Sequence, residues 1–131
     1  MAIVRRNLWN LDLACSAAPR IEVADTVWKR SVGLIGRRSL ESGSGLWIAP
    51  CNGIHTLFMR FAIDVIFLNE AGEVIHLAPS LKPWRIFGPI LKSCVVIELP
   101  AGTIERSGIK LGTRLMLNNA EEPAFPLRTR E

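Results

Sequence analysis

Turn-forming residues interrupt this chain at short intervals, and that limits it to short elements. Gly, Pro, Asn, Asp and Ser recur throughout, and the apolar segments between them are of strand length. The run 65–68 (VIFL) is the size of a buried strand. A membrane-spanning helix needs roughly 18–20 largely apolar residues in succession, and no such window occurs. These features predict one mostly β domain of α+β type over residues 1–131. Its expected form is a small barrel or closed sheet with one or two short helices.

The pattern places the elements. Segments 3–14 and 20–24 read as a first hairpin around 16–19. Asp25 or Thr26 can cap a helix whose Trp28, Val32 and Ile35 recur at helical spacing, with Gly36 as its stop. ESGSG (41–45) is a turn, and 46–49 a strand ended by Pro50. Strands 64–68 and 74–78 flank a hairpin turn at 69–73. The segment 79–89 holds three prolines and reads as a long loop. A buried strand is expected at 93–99 and a short helix from Pro100 to Arg106, stopped at Gly108. A turn at 110–113 leads to a last strand, 114–117. The tail 118–131 reads as frayed.

Composition narrows the function classes. Hydrophobic residues make up 49% and mean hydropathy is +0.25, which calls for a dense core or an apolar binding surface. The 16 Lys and Arg against 12 Asp and Glu leave a net charge of +4. The basic residues are scattered as local doublets, not gathered into a patch, so no nucleic-acid partner is expected. The three cysteines, Cys15, Cys51 and Cys94, are odd in number and widely spaced, with no CxxC pair. They read as thiols rather than a disulfide or zinc framework. Asn7, Asn10 and Asp12 break what could otherwise be an export segment, so a cytoplasmic location is expected.

The stretch 51–68, CNGIHTLFMRFAIDVIFL, crowds polar groups against an apolar run. Such groups must find partners or serve a purpose. Cys51 and His55 are catalytic candidates, a thiol with a base four residues on. Their spacing is common by chance, and a small buried thiol beside a backbone-bonded histidine is the simpler reading. His76, Cys94 and Asp64 lack ligand-like spacing, so no metal site and no cofactor are expected. Arg60 and Asp64 can pair across a turn, or Arg60 can face a cavity with His55, Thr56 and Met59 along the same wall. Trp84 and Phe87, with Lys82 and Arg85, give the 79–89 loop a recognition surface. Glu98 and Arg106 are placed to pair with each other, or Glu98 to cap the turn.

GLWIAPCNGIHTLFMRFAIDVIFLNEAGEVIHL, followed by ELPAGTIERSGIKLGTRL, resembles the family known as domain of unknown function 192. The resemblance rests on Met59-Arg60 ahead of Ile63-Asp64 and the apolar strand. It also rests on Glu98-Leu99-Pro100-Ala101-Gly102 followed by the Gly108 to Gly112 turn. It covers roughly residues 21–117. Ala62 stands where many relatives have Pro, and Thr113 where Asp is common. The resemblance implies a compact, β-rich, barrel-like domain with one or two short helices, and no defined activity.

The function expected from the residues is therefore a non-catalytic module that binds a small anionic ligand or a peptide. His55, Thr56, Met59, Arg60, Asp64 and Trp84 are its expected binding residues. The alternatives are a hydrolase or transferase using Cys51 or His55, and an interaction scaffold built on the 79–89 loop.

Overall fold

The computed structural model of the chain describes residues 5–24 and 34–119. The helix expected from Asp25 or Thr26 onward lies almost wholly outside the described residues; Leu34 to Gly36 form a turn, with Gly36 at φ +86°. Nine strands and one helical turn are seen among the described residues: β1 (Arg5–Asn10), β2 (Cys15–Ala24), β3 (Ser44–Ile48), β4 (Ile54–His55), β5 (Ile63–Leu68), β6 (Val74–Leu81), β7 (Ile86–Phe87), β8 (Val95–Pro100), α1 (Thr103–Arg106) and β9 (Leu115–Asn119).

Seven of the strands form one sheet in the order β6-β5-β8-β3-β2-β1-β9. Only the β2–β3 contact is parallel. The two edges come together at one end. Val74 N donates to Thr113 O, Gly112 N to Val74 O and Leu115 N to Gly72 O, at 2.8–2.9 Å. The sheet is thus a curled half-barrel, in keeping with the expected β-rich class.

Strand alternation gives the sheet two apolar faces. On the inner face Leu8, Ile21, Ile66, Leu68, Val74, Ile97, Leu99 and Leu115 share one cluster with Ile104 and Ile109 beside α1. That residues of β1, β6 and β9 meet in it shows how far the sheet curls. On the outer face Ala24, Leu46, Ile48, Val65, Phe67, Ala78 and Val96 pack with Leu34 and Met59. β5, buried at all six positions, serves both cores and needs apolar side chains on both sides.

Several boundaries differ from the sequence expectation, and α1 starts at Thr103 because β8 takes Pro100. The first hairpin turns at 11–14, not 16–19. The Asn10 side chain accepts the Asp12 and Leu13 amides at 3.0 Å, an Asx-type turn. Pro19 instead sits in β2, where the register slips between Arg6 and Leu8 and no ladder amide is demanded of it. β6 runs on to Leu81 through Pro79, which a strand on the sheet's edge allows. β9 extends to Asn119, two residues into the segment expected to fray; residues 120–131 lie outside the described residues.

Candidate functional site

The outer core is covered by a layer made from segments 51–61 and 81–92. Thr56 is its fastener. Its hydroxyl donates to Lys82 O at 2.6 Å and accepts the Arg85 amide at 2.9 Å. Its own amide donates to Arg85 O and its carbonyl accepts the Trp84 amide, at 2.7 and 2.9 Å. The β4–β7 ladder pairs Ile54 with Phe87 and His55 with Ile86, and Ile90 N donates to Asn52 O at 2.7 Å. Beneath, Met59, Cys51, Ile54, Phe61, Phe87 and Ile90 pack onto the sheet.

The layer's outer surface has an unusual make-up. Phe58 and Trp84, both exposed, set their rings 4.7 Å apart. Both hold positive φ, +66° and +64°. For bulky aromatic residues that conformation costs of order 1–3 kcal/mol, and the bonds around Thr56 hold it in place. Ile86 and Leu91 are also exposed, 75% and 85%, far above what a soluble face needs. Around them stand exposed His55, Arg60, Lys82, Arg85 and Lys92. No Asp or Glu occurs in 49–63 or 74–97. Beside His55 a shallow groove of about 390 Å³ is lined by Ile54, Leu57, Ile86 and Phe87 and by the backbone of Gly53 and Gly88.

The six expected binding residues separate by burial. His55, Arg60 and Trp84 are exposed in this layer. Thr56 and Met59 are buried and support it. Asp64 is buried on the sheet's other face, where its carboxylate accepts the Ser80 amide at 2.8 Å and the Ile104 amide at 2.9 Å. It therefore ties β5 to β6 and to the start of α1. The pairing considered between Arg60 and Asp64 is not among the ion pairs of the described residues. Of the catalytic candidates, Cys51 is half-buried and its thiol donates to Gly53 O at 2.9 Å. No disulfide joins Cys15, Cys51 and Cys94. Among the described residues no group of three or more His, Cys, Asp or Glu could hold a metal ion. Nor is any helix there long and apolar enough to cross a membrane.

A second polar feature escaped the sequence reading. Glu98 neither pairs with Arg106 nor caps the turn. Arg106 stays on α1, reaching Thr103 Oγ1 at 3.4 Å. Glu98 instead stands in one register row with Leu46 and Glu22, across β8, β3 and β2. That places it on the outer face, 3% exposed, with Oε1 lacking any hydrogen-bond partner. Burial pushes its carboxyl up from 4.5 to about 7, against the opposing pull of the Arg37 charge. Arg37 itself forks onto Glu22 at 3.2 and 3.4 Å. Glu98 looked like an ordinary strand-end acid because Arg37, whose charge acts on it, comes from a segment some sixty residues away.

The family model DUF192, described as "Uncharacterized ACR", matches residues 12–117. A UPF0127 protein of Pyrococcus furiosus is 41% identical over 106 residues, covering 76% of this chain and 89% of that protein. A UPF0127 protein of Thermococcus sibiricus is 32% identical over 108 residues, covering 79% and 69%. A crystal structure of a protein of unknown function from Novosphingobium aromaticivorans superposes with a TM-score of 0.74 at 22% identity, over 87% of this chain and 84% of that one. That likeness is one of fold.

Proposed function

The chain belongs to the DUF192 family, and from that premise and the geometry of the loop layer we propose that it is a non-catalytic domain that binds an acidic peptide segment. One observation carries the reading: a strained, exposed aromatic pair, Phe58 and Trp84, set in a layer with five exposed His, Arg and Lys side chains and no acid in its two segments. Aromatic anchors give contact area at low entropic cost, and the surrounding cations select an acidic partner and speed its arrival. The groove beside His55 has room for a side chain from that partner. A flat anionic bilayer could meet the cations and aromatics too, but it would leave the groove unused.

Display of short random peptides against the immobilised domain tests this. The expected selection enriches Asp and Glu around one aromatic or large aliphatic residue. Trp84→Ala should weaken the selected peptide by about 2 kcal/mol, roughly thirtyfold. Reversing charge with Lys82→Glu and Arg85→Glu should turn the preference towards basic peptides. A selection unchanged by that reversal contradicts the reading. Binding to phosphatidylserine vesicles with no peptide enriched would replace it with a membrane surface.

A further inference from the structure

Two of the three cysteines meet where the loop layer joins the sheet. Cys51, at the head of segment 51–61, donates its amide to the carbonyl of Cys94, just ahead of β8, at 3.0 Å. Two more bonds tie the same stretches together: Ile90 N donates to Asn52 O at 2.7 Å, and Ser93 Oγ donates to Cys51 O at 3.2 Å. We propose that Cys51 and Cys94 form a reversible disulfide, made by exchange with a small-molecule disulfide of the glutathione type.

The backbone brings the two residues within bridging range. An amide-to-carbonyl hydrogen bond between two residues holds their Cα atoms roughly 5–6 Å apart, the spacing a disulfide spans. The side chains leave from the same face. Cys94 N donates to Leu68 O at 2.8 Å, so the chain there still follows β5, and strand alternation puts Cys94 on the side of Val96. Val96 belongs to the outer cluster, and Cys51 packs against that cluster. Each thiol now rests on a nearby carbonyl, Cys51 on Gly53 O at 2.9 Å and Cys94 on Lys92 O at 3.8 Å. These are weak sulfur bonds, given up by rotation about χ1.

Access sets the order of reaction. Cys94 borders an open groove of about 660 Å³ with Ala49, Pro50, Leu68 and Val95, whereas Cys51 lies against the core. The Cys94 thiolate attacks one sulfur of the small disulfide, whose S–S bond breaks and releases one small thiolate. The Cys51 thiolate then attacks the Cys94 sulfur of the mixed disulfide and expels the second. Two protein thiols are oxidised, the reagent is reduced to two thiols, and the protein's two protons pass to the departing thiolates. The product bolts the first residue of the loop layer to the sheet. Cys15 is remote from this pair. It opens β2 opposite Asn10, at the end of the strand away from Ala24, which pairs with Ile48.

Equilibrating the native full chain in mixtures of oxidised and reduced glutathione tests the pair, with acid quenching, alkylation and digestion by trypsin. The expected product is two hydrogens lighter and yields peptide 39–60 joined to peptide 93–106, while peptide 7–20 carries Cys15 outside any internal bridge. Oxidation should lower the unfolding equilibrium constant at least about tenfold, and a reductant should restore it. Cys51→Ser and Cys94→Ser should each stop at the mixed disulfide with glutathione. In urea the unfolded chain should form the 51–94 link no more readily than the 15–51 link, because the two loops are of similar length. The proposal is overturned if the native protein stops at mixed disulfides, if Cys15 takes the place of either partner, or if the unfolded chain favours the 51–94 link as strongly as the native one.

Discussion

Glu98→Gln should abolish a stability slope of about 3 kcal/mol between about pH 4.5 and pH 7. The native carboxyl keeps its proton up to about pH 7, because burial has raised it from 4.5. The unfolded chain releases that proton above its ordinary value. Between the two values the native state binds more protons than the unfolded one, so stability falls as pH rises. The group's contribution is intact below 4.5, and it is lost through the window up to about 7. Glutamine cannot ionise in either state. The difference between variant and parent should therefore be constant at low pH and move in the variant's favour through the window. Urea midpoints taken across that range measure it directly. Parallel curves would show that Glu98 ionises inside the fold at no cost, through partners its enclosed Oε1 does not have.

Asp64→Ala should lower stability by about 2–4 kcal/mol at neutral pH. The carboxylate is 1% exposed and is the acceptor for two backbone amides, those of Ser80 and Ile104. Alanine leaves both donors without their acceptor, the Ile104 amide in a buried place, where such a loss costs about 1–3 kcal/mol. It also frees α1, a single turn too short to hold itself, from the strand that anchors its Ile104 amide. Asp64→Asn keeps one oxygen and should lose about half as much. A denaturant midpoint unchanged in the alanine variant would mean that the two amides find other acceptors, and that Asp64 is free for another role.

The sequence carried the class of fold well because the class is set locally. Short apolar runs between turn-formers can make little else, and the 64–68 and 74–78 hairpin follows from Asn69, whose side chain accepts the Ala71 and Glu73 amides at 3.0 Å. The last turn reads the same way. Thr113 caps it, its hydroxyl accepting the Lys110 amide at 3.1 Å. What could not be read locally was any feature set by the sheet's order. Pro19 marks a bulge, not a turn, because β1 is its neighbour, and Pro79 is tolerated because β6 is an edge. The same holds for the site. Periodicity cannot say that Asp64 faces α1 while Val65 faces Met59, nor that Arg37 arrives over Glu98. Nothing in the neighbours of Phe58 announces a left-handed backbone, and its pairing with Trp84 exists only once Thr56 ties the two loops together.

The most direct measurement of whether the loop layer is the binding surface is a titration followed by the indole N–H signals of the isotopically labelled domain. The chain has four tryptophans, Trp9, Trp28, Trp47 and Trp84, and a Trp84→Phe variant identifies the fourth signal. Unlabelled short peptides rich in Asp and Glu, each with one phenylalanine, serve as the probe. The expected result is a saturable shift of the Trp84 signal, with the other three still, that weakens as salt is raised and disappears in the Lys82→Glu, Arg85→Glu variant. A Trp84 signal that stays fixed while peptide binds, or a shift equally strong with basic peptides, would contradict an acidic-peptide surface at Phe58 and Trp84.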